Sequence, residues 1–238
     1  KKTLNLLIFY MFSVIFPGQG SQIIGMAKEF YDNFDYVKEY FHEADHLSKK
    51  NLSKIIFDGP KELLDETINT QSAIFLVSYS IFKVLEKEAN INLKKAKFFA
   101  GHSLGEYSAL CCAESINFNQ TINLLINRGK AMQNAVPKGR GGMLAILGEK
   151  FENVDTLIKE NFHKFQCYIA NDNSNGQIVV SGETKSLESL GKELLNTLIE
   201  MSKNKGCYKC ILDCKDELED FYKKCNFKKK GVQMCLYF

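Results

Sequence analysis

Apolar and polar positions alternate along the chain with periods that predict a mixed α/β protein. Short apolar runs of strand character occupy residues 12–16 and 98–100. Apolar residues spaced three and four apart predict amphipathic helices over Tyr31–Leu47 and Asn119–Asn134. The stretch Ser72–Glu88 is apolar on most sides, which predicts a buried helix.

A second pattern begins after the glycine-rich stretch Pro137–Gly142, which we interpret as a hinge. The order beyond it is strand, helix, strand, turn, strand and helix, which is typical of a small ferredoxin-like subdomain. The predicted bounds are Met143–Leu147, Phe151–Asn161, Gln166–Ala170, Asn171–Gly176, Gln177–Gly182 and Thr184–Asn196.

The sequence changes character at about Thr197, where a third segment is predicted. We interpret Gly206–Cys214 as a strand, Asp216–Cys225 as a helix and Gly231–Phe238 as a strand. The predicted organisation is therefore a large subdomain over 12–136, a ferredoxin-like subdomain over 137–197 and a β-α-β segment over 198–238.

The candidate chemistry lies where the run 98–100 meets a turn bracketed by glycines. Gly101, Ser103 and Gly105 form the pattern G-x-S-x-G, in which a serine on a tight strand-to-helix turn presents its hydroxyl above a sheet. The N–H groups at the start of the next helix can hold a developing oxyanion. The alternative is a glycine-rich turn whose serine is incidental.

Two further features accompany this turn. The loop Gly18–Gln22 follows the first strand, but it lacks the glycine spacing of a dinucleotide site and the lysine of a P-loop. It can bring a backbone N–H towards a reacting carbonyl, or it is a simple strand-to-helix turn. Arg128 can offer a guanidinium fork to a carboxylate, although spacing alone favours a surface charge.

Composition excludes some partners and metals. A net charge of +3, with scattered basic residues, does not indicate nucleic acid. The eight cysteines lack paired zinc-site spacing, so we expect reduced core thiols in a cytoplasmic protein. Lys1–Phe16 partly resembles a secretory signal without its cleavage site, and Met11 is a plausible start. No other stretch is expected to be long and apolar enough to cross a membrane.

Several motifs stand in the order seen in malonyl-CoA:acyl-carrier-protein transacylases, which residues 12–195 resemble. They are Phe16-Pro17-Gly18-Gln19-Gly20-Ser21-Gln22, Thr70-Gln71, Gly101-His102-Ser103-Leu104-Gly105-Glu106-Tyr107, Arg128-Gly129-Lys130-Ala131-Met132-Gln133 and Asn173-Ser174-Asn175-Gly176-Gln177. The resemblance implies an α/β-hydrolase-like acyltransferase core with an inserted ferredoxin-like subdomain. It also implies malonyl-CoA and acyl carrier protein as partners, in fatty acid biosynthesis. It implies no cofactor, because the coenzyme A thioester is the substrate.

The resemblance also assigns roles to individual residues. Ser103 is the nucleophile that becomes malonylated, and the backbone N–H groups of Gln19 and Leu104 form the oxyanion hole. Arg128 pairs with the free malonyl carboxylate. Gln71 lines the pocket, and His102 beside the nucleophile is placed with the substrate-binding residues.

The general base of that family is a histidine in a Ser-His context, and none of His42, His46, His102 and His163 has this context. The tail 198–238 instead resembles the end of a glucosamine-phosphate N-acetyltransferase of the GNAT superfamily, with Tyr222 near the coenzyme A thiol. A chimeric chain with impaired turnover is therefore expected. The alternatives are a non-catalytic module that binds malonyl-CoA or carrier protein, a general serine hydrolase, and a sugar N-acetyltransferase.

Overall fold

The computed structural model describes residues 11–230 except 90, 138 and 215. The chain divides into two compact units between Ala135 and Val136, next to the predicted hinge. The helices and strands of the first unit are β1 Ser13–Phe16, α1 Lys28–Asn33, α2 Asp35–Ser48, α3 Leu52–Asp58, α4 Lys61–Asp65, α5 Thr67–Glu88, β2 Phe98–Gly101, α6 Gly105–Cys112 and α7 Phe118–Ala135, with a 3-10 turn at Leu93–Lys95.

The core of the first unit forms where α2 and α7 pack against α5. Phe41 and Phe75, one from α2 and one from α5, are completely buried there. By length and composition alone, α5 is long and apolar enough to cross a membrane. The expectation that no stretch after residue 16 is long and apolar enough was therefore wrong. Two thirds of the most apolar 18-residue part of α5 is nevertheless buried inside the protein, as expected of a core helix.

The strands β1 and β2 pair in parallel, with Ser13 opposite Phe98 and Phe16 opposite Gly101. Two flanking bonds extend the pairing, from Lys97 N–H to the Phe12 carbonyl and from His102 N–H to the Phe16 carbonyl. One face of this pair packs in a small cluster with Phe82 and Ala109. Because β2 ends at the glycine turn, this pairing fixes where Ser103 emerges.

The second unit contains a three-stranded antiparallel sheet in the order β3-β5-β4. This confirms the predicted order of strands and helices after the hinge, apart from a short helix at Phe162–Phe165 that was not predicted. The elements are β3 Gly141–Leu147, α8 Phe151–Glu160, α9 Phe162–Phe165, β4 Cys167–Ser174, β5 Gln177–Glu183, α10 Thr184–Asn204 and α11 Glu219–Lys224, with a 3-10 turn at Asp216–Leu218. Ile178 and Val180 of β5 lie fully buried in this unit's core.

Two element boundaries of the first unit differ from prediction. The single helix expected over Tyr31–Leu47 is broken at Phe34, which is extended (φ −128°, ψ 112°) and ends α1 so that α2 can begin in a new direction. The helix predicted to begin at Ser72 instead begins at Thr67, so residues 67–71 form the start of α5. There Thr70 Oγ1 donates to the Leu64 and Glu66 carbonyls, so its buried hydroxyl is satisfied within the helix start.

In the second unit, β4 runs to Ser174, through residues predicted as a turn. Pairing with β5 satisfies the backbone there, while polar side chains such as that of Asp172 face outward. The α10 helix is longer than predicted and runs unbroken across the boundary proposed at 197. The three-part division of the chain stays a prediction.

The strand predicted over Gly206–Cys214 was wrong, since these residues form neither strand nor helix. Tyr208 and Ile211 are exposed, so nothing buries the apolar positions that suggested a strand. The helix predicted over Asp216–Cys225 is present as the 3-10 turn followed by α11. The strand predicted over Gly231–Phe238 lies outside the described residues.

The expectation of core thiols holds for part of the cysteines only. Cys111, Cys112, Cys167 and Cys225 are buried, whereas Cys207, Cys210 and Cys214 are exposed. Burial raises the pKa of the Cys111, Cys112 and Cys167 thiols above the usual range of cysteine. These three thiols therefore remain protonated at neutral pH.

We expect iodoacetamide at pH 8 to alkylate Cys207, Cys210 and Cys214 and to leave Cys111, Cys112 and Cys167 unmodified, because the thiolate is the reactive species. Peptide mapping by mass spectrometry measures each site. As a control, the same reaction in denaturant is expected to modify both groups. Modification of Cys111 and Cys112 at the rate of Cys207 in the folded protein would contradict this description of the core.

Candidate active site

Ser103 occupies a strained turn between β2 and α6. Its φ of 56° lies in the left-handed region, which is uncommon for a residue with a side chain and typical of a nucleophile elbow. Ser103 is exposed, whereas Leu104 beside it is completely buried. The turn therefore presents the hydroxyl while anchoring its neighbour in the core.

The two glycines of the motif are required by close backbone approach. A Cβ on Gly101 would stand 1.9 Å from the Gly105 carbonyl carbon. A Cβ on Gly105 would stand 2.5 Å from the Phe16 carbonyl oxygen and 2.8 Å from that of Pro17. The end of β1 is therefore pressed against the turn, and only glycine permits that packing.

The loop after β1 lies against the same turn. A Cβ on Gly18 would meet the His102 side chain at Nδ1, 2.5 Å away. Gln22 braces the loop from inside: its Oε1 accepts from Gly20 N–H (2.8 Å), and its Nε2 donates to Asp65 Oδ1 (2.8 Å). Gln22 stands within the motif, but its bond to Asp65 joins residues 43 apart and was not predicted from the sequence.

The backbone N–H groups of Gln19 and Leu104 keep their donors available. Within the described part of the chain, neither N–H donates a hydrogen bond to a protein acceptor, although Gly105, Glu106 and Tyr107 just beyond donate within the turn. Leu104 also caps the start of α6, where backbone donors attract negative charge. The Leu104 N–H follows the exposed Ser103 directly in the turn, and an open donor there suits an oxyanion.

Arg128 of α7 reaches the serine. Its Nη2 donates to Ser103 Oγ (3.0 Å) and its Nη1 donates to Gln71 Oε1 (2.6 Å). The guanidinium carbon also lies 5.8 Å from the centre of the Tyr107 ring. The side chain that spacing alone would place on the surface is therefore half-buried and directed at Ser103.

Gln71 holds this guanidinium in place. Gln71 is completely buried in the first turns of α5, and its Nε2 donates to the Met132 sulfur (3.2 Å). Because the amide nitrogen is engaged there, the amide oxygen faces Arg128. The helices can approach this closely because Gly129 lies against Ile68, whose Cα is 2.9 Å from where a Cβ would stand. Met132 and Tyr107 carried no role in the sequence prediction.

The structure thus brings together Ser103, Leu104, Arg128 and Gln71, with the loop of Gln19 packed against the same turn. His102 lies in this turn as well, against the position of Gly18. Tyr222, by contrast, lies in the second unit and packs edge-on against Phe221 and Phe227, with ring centres 5.1 and 6.1 Å apart. No group of three or more His, Cys, Asp or Glu side chains within residues 11–230 is arranged to hold a metal ion.

Comparison with known proteins agrees with this geometry. The family described as "Acyl transferase domain" matches residues 13–205. The Malonyl CoA-acyl carrier protein transacylase of Bacillus subtilis is 43% identical over 183 residues, which cover 76% of this chain and 56% of that protein. The Malonyl CoA-acyl carrier protein transacylase of Salmonella typhimurium is 39% identical over 180 residues, which cover 76% of this chain and 57% of that protein. The chain thus spans somewhat more than half the length of these relatives.

Solved structures give the same result. The acyl-carrier-protein-S-malonyltransferase from Bartonella henselae superposes with a TM-score of 0.69 at 40% identity, covering 84% of this chain and 61% of that one. A malonyl-transacylase in complex with a type II PKS acyl-carrier protein superposes with a TM-score of 0.69 at 39% identity, covering 76% and 58%. With the family match extending over most of its length, the chain belongs to the acyl transferase domain family.

Proposed function

We propose that this protein transfers a malonyl group from malonyl-CoA to acyl carrier protein through an acyl-serine intermediate, in fatty acid biosynthesis. The observation that carries the proposal is the Arg128 guanidinium 3.0 Å from Ser103 Oγ, held by a completely buried Gln71. A fixed cation at that distance from the nucleophile suits an acyl group that ends in a carboxylate. The names of the relatives add that proteins of this kind act on malonyl-CoA and carrier protein.

The proposed reaction begins with attack of Ser103 Oγ on the thioester carbonyl. The N–H groups of Gln19 and Leu104 hold the oxyanion, the coenzyme A thiol leaves, and malonyl remains on Ser103. The carrier protein's thiol then attacks the malonyl-serine, and Ser103 is released. A covalent intermediate suits this exchange because the two thiol carriers need not be bound together. His102 is placed beside the entering substrate, and no cofactor is required.

We also propose that the chain combines an α/β-hydrolase-like core with a ferredoxin-like subdomain. The β1–β2 pair with α6 is consistent with an α/β-hydrolase-like core over 12–136, since the nucleophile turn follows a parallel strand. The order β3-β5-β4 is consistent with a ferredoxin-like subdomain over 137–197. We place the protein in the cytoplasm, where free thiols persist.

Two predictions about this chain stay open. Slow turnover stays a prediction that rests on the sequence contexts of His42, His46, His102 and His163, none of which is the family's Ser-His context. The GNAT-like interpretation of 198–238 also stays a prediction, and the strand it required before α11 is absent from the described residues. Failure of the protein to bind acetyl-CoA would remove sugar N-acetylation as a function.

We expect Arg128→Ala to reduce the rate of malonyl loading by about 30-fold or more while sparing hydrolysis of simple uncharged esters. Loss of one partner of a close charge pair costs about 2–5 kcal/mol, and only malonyl provides the other partner. Loading is followed by intact mass after incubation with malonyl-CoA. The matched control is Lys130→Ala, which removes an exposed charge two residues further along α7.

The outcomes separate the candidate functions. An equal loss of malonyl loading in Arg128→Ala and Lys130→Ala would show a general effect of positive charge. It would contradict the proposal that Arg128 binds the malonyl carboxylate. Binding of malonyl-CoA without any adduct on Ser103, weakened by Arg128→Ala, would favour the non-catalytic module. Cleavage of simple esters with no preference for malonyl would favour a general serine hydrolase.

A further inference from the structure

The contact between Arg128 and Ser103 has the donor on arginine and the acceptor on the nucleophile. Nη2 donates to Ser103 Oγ at 3.0 Å, so a lone pair of the attacking oxygen is engaged by a cation. Ser103 itself is exposed on its turn. The resting site therefore holds the nucleophile by the same group that is proposed to bind the substrate's carboxylate.

The other half of the guanidinium is anchored independently of Ser103. Nη1 donates to Gln71 Oε1 at 2.6 Å, and the Gln71 amide is completely buried and engaged with Met132 on its nitrogen side. The Tyr107 ring lies 5.8 Å from the guanidinium carbon. Loss of the Ser103 contact would leave these anchors intact, so Nη2 can exchange one acceptor for another without movement of the arginine.

We propose that Arg128 restrains Ser103 in the free protein and that an acyl group with a free carboxylate releases the serine by taking over the Nη2 donor. This inference rests on the proposed function and deepens it, since it makes substrate charge a condition for nucleophile release. A carboxylate is a stronger acceptor for a guanidinium than a neutral hydroxyl. An acetyl group has no such acceptor, so it lacks both the ion pair and the means to free Ser103.

The test uses an uncharged serine reagent and no malonyl-CoA. Diisopropyl fluorophosphate reacts by attack of Ser103 Oγ on phosphorus: the O–P bond forms, the P–F bond breaks, fluoride leaves and the hydroxyl proton passes to solvent. We expect Arg128→Gln to be modified at Ser103 about tenfold faster than the unaltered protein, because a charge-assisted hydrogen bond to the attacking oxygen is removed. Mass spectrometry of the Ser103 peptide measures the rate.

Two further variants keep the experiment decisive. Lys130→Gln removes a nearby exposed charge and is expected to react at the unaltered rate. Arg128→Lys keeps the charge, but a single ammonium cannot span Gln71 and Ser103 as the fork does, so an intermediate rate is expected. If circular dichroism shows that Arg128→Gln does not fold, the modification rate of Arg128→Lys provides the test instead.

Each other result overturns the inference. Slower modification of Arg128→Gln would show that the guanidinium activates Ser103, and equal rates, or no modification of either protein, would show that the contact does not limit the serine. The proposed function is judged separately by the malonyl adduct. An adduct together with unchanged modification rates would remove this inference alone, whereas absence of the adduct would remove the proposed function.

Discussion

Ser103→Ala is expected to abolish formation of the malonyl adduct, because the substitution removes the hydroxyl oxygen that is proposed to carry the acyl group. Removal of a nucleophile commonly costs at least about 10³-fold in rate, and here the covalent product itself cannot form. Intact mass after incubation with malonyl-CoA, followed by peptide mapping, measures the occupancy of the site. The unaltered protein should gain one malonyl group on the peptide that contains residue 103.

The chain offers a closely matched control in Ser108, five residues further on in α6. Its hydroxyl is completely buried and makes no hydrogen bond within the described residues, so Ser108→Ala removes a hydroxyl without removing a contact. We expect this variant to keep both its fold and its adduct. An adduct that persists in Ser103→Ala would show that another group is acylated and would overturn the assignment of the nucleophile.

Gly101→Ala is expected to destabilise the first unit by about 3 kcal/mol or more and to eliminate the adduct. The new Cβ would stand 1.9 Å from the Gly105 carbonyl carbon and 2.3 Å from Glu106 N, which are backbone atoms with no rotamer to change. Overpacking against yielding side chains costs about 1–3 kcal/mol, so a backbone collision belongs at or above that range. Thermal denaturation followed by circular dichroism should show a decrease of about 6–12 °C in Tm.

Gly142→Ala is the matched substitution at a glycine in a strand. Its Cβ would lie 3.2 Å from a terminal methyl group of Leu187, which can move aside. We expect a change in Tm of less than about 3 °C for this variant, consistent with a cost below about 1 kcal/mol. If Gly101→Ala denatured at the temperature of Gly142→Ala, the tight turn described at Ser103 would be incorrect.

Local signals were sufficient where one stretch of sequence carries its own geometry. The glycine pattern around Ser103 predicted the turn, and apolar periodicity predicted a buried α5 and the strand and helix order of the second unit. The break at Phe34 and the extension of β4 through Asn171–Ser174 were not predictable in the same way. Each depends on a contact that the local pattern does not contain, which is the packing of α2 against α5 and α7 in one case and pairing with β5 in the other.

In the segment 206–214, by contrast, the sequence predicted a strand that the structure does not contain. Its alternating cysteine, aromatic and aliphatic residues have strand propensity, yet Tyr208 and Ile211 are exposed and no described strand pairs with them. Strand propensity reflects how well a residue fits a pleated, half-buried surface, so it predicts a strand only where such a surface exists.

By itself, the sequence determined that a serine stands on a glycine-bracketed turn between a strand and a helix, because hydroxyl, turn and glycines lie within five consecutive residues. Spacing alone left Arg128 undecided between a surface charge and a site residue, since helical spacing says nothing about what a long side chain meets, and the resemblance assigned it to the substrate carboxylate. Only the tertiary structure shows which groups the guanidinium contacts. The packing of α7 on α5 at Gly129 brings the guanidinium to Gln71 and Ser103, which are 57 and 25 residues away along the chain.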